Sequence, residues 1–96
     1  MRALVIDDSR AMRTIIRRIL AGAGFEVFEA GDGQAALDRL GELGAVDLCC
    51  IDWNMPVMNG YEFVRAVRAN EAYRDVTLMM VTTESEHGQV DRKSVV

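Results

Sequence analysis

The sequence predicts an α/β domain built on a parallel sheet with helices on both faces. Three observations lead there. Two hydrophobic rhythms alternate along the chain, one with the spacing of helices and one of short continuous runs. The runs at residues 3–6 and 46–51 are wholly apolar apart from Asp47, as suits strands covered on both sides. Both runs are closed by acids, Asp7-Asp8 and Asp52.

Residues 3–6 form the first expected strand. Ser9 is placed to cap a helix. Met12, Ile15, Ile16, Ile19 and Leu20 follow at helical spacing, with Arg13, Arg17 and Arg18 between them as a solvated face. Gly22 and Gly24 end that helix. Residues 25–30 read as the second strand. Gly31-Asp32-Gly33 reads as a turn in which Asp32 caps the next helix. Ala36, Leu37, Leu40 and Leu43 mark that helix, stopped near Gly44. Residues 46–51 are the third strand, closed by Asp52, and residues 53–60 are a loop around the sole proline, Pro56. Residues 61–69 read as the third helix, with Phe63, Val64 and Val67 inward. Residues 76–81 are the fourth strand, ending at Thr82. Residues 83–96 are a mostly polar, atypical tail. The order βαβαβαβ implies parallel strands joined by helical crossovers.

The 96 residues make one small domain, half hydrophobic and 27% charged, which is ordinary globular composition. A net charge of −4 argues against a nucleic-acid binder held by phosphate contacts. No apolar stretch approaches membrane-spanning length, and the run after Met1 is too short for a secretory segment, so no membrane role and a cytoplasmic location are expected. The adjacent Cys49 and Cys50 read as two small buried hydrophobes pointing to opposite faces of a strand. His87, the lone histidine, reads as a surface residue.

In open α/β sheets, ligands bind beyond the carboxyl ends of the strands. Asp7, Asp8, Asp52 and Thr82 all fall there. If the first and third strands are neighbours, three carboxylates converge. Their mutual repulsion is relieved by a divalent cation, and hard oxygen ligands favour Mg²⁺, with Mn²⁺ as a substitute. An aspartate can also act as a nucleophile that forms an aspartyl-phosphate, and a nearby hydroxyl can donate to a phosphoryl oxygen.

The motifs Val5-Ile6-Asp7-Asp8-Ser9, Asp52-Trp53-Asn54-Met55-Pro56, Asn59-Gly60 and Val81-Thr82, in that order, resemble the receiver domains of two-component response regulators. The loop after Asp52 looks most like that of the single-domain chemotaxis regulators. The resemblance implies a flavodoxin-like, doubly wound sheet. The strand order 2-1-3-4-5 belongs to the resemblance and is not read from spacing. It further implies that Asp52 is the phosphoacceptor, that Asp7, Asp8, Asp52 and the backbone carbonyl of Asn54 form the Mg²⁺ site, and that Thr82 is the switch hydroxyl. Pro56 and Gly60 would shape the loop after the acceptor. A sensor histidine kinase would supply the phosphoryl group and a protein target would read it. Such a protein is not an enzyme beyond its own phosphorylation and dephosphorylation.

The chain departs from the family's pattern after the fourth strand. A receiver continues through a fifth strand and helix, with an active-site lysine and a Lys-Pro step. Here the fold is expected to be truncated after the fourth strand, and Lys93, the sole lysine, falls too early. Impaired phosphoryl transfer is the expected result. Dimerisation or domain swapping through the bare fourth strand is expected too. Two other functions compete. One is a Mg²⁺-dependent phosphohydrolase with an aspartate nucleophile, although the position two residues on is Asn54 instead of an acid. The other is a non-signalling, self-associating fragment.

Overall fold

A computed structural model of the chain describes residues 1–52 and 58–81. The elements are β1 (Arg2–Ile6), α1 (Arg10–Gly22), β2 (Glu26–Ala30), α2 (Gly33–Leu43), β3 (Leu48–Asp52), α3 (Gly60–Arg68), a 3₁₀ turn (Glu71–Tyr73) and β4 (Thr77–Val81). The four strands make one sheet in the order β2-β1-β3-β4, and every pairing is parallel. The expected α/β architecture and strand order are therefore present, with β1 and β3 as neighbours.

Strand alternation divides the core in two. Leu4 and Ile6 of β1, Cys49 and Ile51 of β3, and Leu78 and Met80 of β4 point to one face. Ala36 and Leu40 of α2 and Phe63 and Val67 of α3 pack over them. Phe63, Leu4, Ile6, Leu40 and Ile51 are fully buried, each worth about 1.5–3 kcal/mol against exposure. Ala3, Leu48, Cys50 and Val81 point to the other face, where Ile16 and Leu20 of α1 and Phe25 meet them. Cys49 and Cys50 thus face opposite sides, and both are buried free thiols. Burial pushes the Cys49 thiol up to about 12, so it stays protonated and inert.

The helix ends follow from local chemistry. Ser9 Oγ accepts from the Met12 amide at the start of α1. Asp32 Oδ1 accepts from the Ala35 amide at 2.7 Å to start α2. Asn59 and Glu62 form a reciprocal capping box at α3, with the Glu62 amide donating to Asn59 Oδ1 and the Asn59 amide to Glu62 Oε1. Gly44 ends α2 at φ 79°, in the left-handed region that glycine enters without strain.

Three details differ from the sequence expectation. The third strand begins at Leu48 because Asp47 is committed elsewhere. Its amide donates to the Arg2 carbonyl, and its carboxylate accepts from the Arg2 amide at 2.7 Å. The 3₁₀ turn has no counterpart in the sequence pattern; Asn70 caps it by accepting from the Ala72 amide. The apolar stripe of α1 is only partly inward. None of its residues is buried, and Ile15 and Ile19 are 51% and 65% exposed.

Candidate functional site

The parallel register builds the site. Ile6 pairs with Ile51, so the next step along each strand sets Asp7 opposite Asp52 at the carboxyl end of the sheet. Asp8 follows in the turn to α1. Carboxylate oxygens of Asp7, Asp8 and Asp52 all lie within 4.8 Å of one another. Asp7 is almost fully buried, Asp52 is intermediate and Asp8 is exposed. The cluster thus grades from the sheet interior toward solvent.

Asp7 is held at three places. Its amide donates to the Ala30 carbonyl of β2 at 3.2 Å. Its carbonyl accepts from Arg13 Nη1 at 2.6 Å. Its Oδ1 accepts from the Ser9 amide at 2.8 Å. Burial raises the Asp7 carboxyl above the ordinary carboxylate range, and the neighbouring Asp8 adds to this. The Ser9 amide and the Arg13 charge oppose the rise without cancelling it. A cation shared by the three groups would reverse the balance by favouring all three ionised forms.

The donor set suits a hard cation. It consists of carboxylate oxygens alone, and among the described residues neither cysteine joins it. The graded exposure leaves room at Asp8 for water or phosphate oxygens, which Mg²⁺ retains.

Other expected site residues are placed unevenly. Gly60 is the first residue of α3 and is buried, directly after the Asn59 cap. Asn54, Pro56 and Thr82 lie outside the described residues, as do Trp53, His87, Lys93 and the tail at 83–96. Arg13 follows the solvated pattern in the sequence, but its side chain is only 18% exposed and it touches the backbone of Asp7. Gly33 has the sequence pattern of a turn glycine, but it lies against Met58. No helix among the described residues is long and apolar enough to cross a membrane.

Comparison with known proteins places this geometry. The model of the response regulator receiver domain matches residues 3–94. A chemotaxis protein CheY homolog of Campylobacter jejuni is 45% identical over 91 residues, which are 94% of this chain and 70% of the relative. The chemotaxis protein CheY of Pseudomonas aeruginosa is 42% identical over 91 residues, covering 94% of this chain and 73% of its own length. Among solved structures, the chemotaxis response regulator CheY4 of Vibrio cholerae superposes with a TM-score of 0.79 at 40% identity, over 92% of this chain and 74% of that one.

Proposed function

Because this chain belongs to the response regulator receiver family, a family of two-component signalling, we propose that Asp52 accepts a phosphoryl group from a sensor histidine kinase in a Mg²⁺-dependent reaction. The observation that carries the reading is the convergence of Asp7, Asp8 and Asp52 at the ends of two adjacent strands. In this reading Asp7, Asp8, Asp52 and the Asn54 carbonyl hold the cation. Bound Mg²⁺ supplies positive charge that offsets both the carboxylates and the phosphoryl oxygens.

The chain's own residues do the rest. A carboxylate oxygen of Asp52 gives its electron pair to phosphorus while the phosphorus–nitrogen bond of the donor phosphohistidine breaks. The departing imidazole nitrogen keeps that bonding pair, and the product is an acyl phosphate on Asp52. Asp7 and Asp8 remain unmodified, held by the turn that Ser9 closes. The Thr82 hydroxyl donates to a phosphoryl oxygen. Water later attacks the same phosphorus and returns the carboxylate.

Self-association through β4, which pairs with β3, is part of the proposal, and light scattering tests it. A chemotaxis-type output, with a protein target reading the phosphorylated form, follows the relatives.

The test is incubation with a small acyl phosphate and Mg²⁺, followed by mass spectrometry. The chain should gain one phosphoryl group, and Asp52→Asn should gain none while still binding Mg²⁺. Continuous turnover of the donor without a stable adduct would favour the phosphohydrolase reading. Metal binding without any adduct would favour a non-signalling fragment.

A further inference from the structure

We propose that Arg13 is a positioning residue of the acidic site: backed by Glu29, it holds the Asp7 peptide so that Asp7, Asp8 and Asp52 can share one cation. This rests on the reading above that the cluster binds Mg²⁺.

Arg13 differs from the neighbouring arginine that shares its partner. The Arg17 side chain is 51% exposed, whereas that of Arg13 is 18% exposed. The Arg13 guanidinium donates in two directions. Nη1 reaches the Asp7 carbonyl at 2.6 Å, and Nε reaches Glu29 Oε1 at 3.0 Å. Arg17 Nε lies 3.4 Å from the other oxygen, Oε2, so both oxygens of Glu29 are engaged. Glu29 sits in the sheet opposite Val5, and the next residue, Ala30, accepts the Asp7 amide. Strand β2 therefore supports the Asp7 peptide from both sides, directly at its N–H and through Arg13 at its carbonyl.

The charges explain why geometry is the larger part of the effect. A bare guanidinium beside a dication would repel it. Here the Glu29 carboxylate, shared with Arg17, offsets part of the Arg13 charge at contact distance. What remains is a planar fork fixed at two points. Only arginine can make both bonds from one rigid group; lysine offers a single ammonium at the end of a flexible stem. Groups that orient metal ligands from behind commonly matter tenfold or more to metal affinity.

The test uses the full 96-residue chain. Mg²⁺ affinity is measured by calorimetry and by the fluorescence of Trp53, the sole tryptophan, and exchange of the Ser9 amide is followed in metal-free protein. Arg13→Ala should weaken Mg²⁺ binding about tenfold and speed Ser9 exchange, while Arg39→Ala, in a remote exposed ion pair, changes neither. Arg13→Lys should fail to restore affinity, because it keeps the charge and loses the fork. Glu29→Gln should weaken binding in the same direction. If Arg13→Ala does not fold, Arg13→Lys decides. Affinity within about twofold of the unaltered chain overturns the role of Arg13, and tighter binding overturns it in favour of simple charge repulsion. If the unaltered chain binds no Mg²⁺, the metal-site reading falls and this inference with it. If the unaltered chain binds Mg²⁺ and the Arg13 variants bind equally well, only the inference falls.

Discussion

Gly33 and Met58 touch so closely that no side chain fits at residue 33. A Cβ built on this first residue of α2 would stand 2.7 Å from Met58 Cγ, and 2.8 Å from both its Cβ and its carbonyl oxygen. The contact joins the start of α2 to the segment that leads from β3 into α3. Gly33→Ala should therefore destabilise the fold by about 1–2 kcal/mol, since overpacking outweighs the roughly 1 kcal/mol that alanine adds to a helix. The urea midpoint measures it. Trimming Met58 to Ala should not restore stability, because its Cβ and carbonyl stay in place.

Arg68 closes the other end of α3. Its Nη1 donates to the carbonyls of Tyr73 and Arg74, and its Nη2 to that of Val76 at 2.9 Å, just ahead of β4. Arg68→Ala leaves the partly buried Val76 carbonyl without that donor and should cost about 1–3 kcal/mol. Arg68→Lys should recover only part of it, because one ammonium cannot reach three carbonyls spread along the turn. Denaturant unfolding of both variants checks the ranking.

The raised Asp7 carboxyl gives a pH dependence with a definite sign. Between the ordinary carboxylate value and the raised folded value, the folded chain keeps a proton that the unfolded chain has released. Stability of the metal-free protein should fall as pH rises through that window and be level in this respect above it. Mg²⁺ binding expels the proton, so affinity should rise with pH over the same window and then flatten. Urea titrations in chelator and Mg²⁺ titrations across that range test both halves. Asp7→Asn should remove this part of the stability slope.

Asn59→Ala removes one arm of the capping box at α3 and should destabilise by about 1 kcal/mol. Asn59→Asp should be nearly neutral, because Asp caps equally well and its charge suits the helix start. Thermal unfolding midpoints distinguish the two.

The alternation of strands and helices was legible because it rests on periodicity. Leu4, Ile6, Cys49 and Ile51 are buried on one face by the same alternation that marks them in the sequence. The caps at Ser9 and Asp32 were legible because a short polar side chain before an apolar repeat has one common use. The convergence of Asp7 and Asp52 was conditional on strand order, which spacing does not specify. Features needing a distant partner stayed hidden. Arg13 follows the polar rhythm of α1, and only β2 packing beside it reveals Glu29 as its partner. Gly33 resembles any turn glycine until the segment at Met58 crosses it. The exposure of Ile15 and Ile19 was equally unreadable, since periodicity marks an apolar stripe without saying how much of it is covered.

The sheet order has a mechanical side. Three carboxylates crowded at the ends of β1 and β3 would, when all are ionised and no cation sits among them, repel one another like a wedge between those strands. In the order β2-β1-β3-β4 the wedge acts on the inner pair, each strand braced by a hydrogen-bonded neighbour on its outer flank. Edge strands would splay under such a load, whereas the central ladder spreads it across the whole sheet.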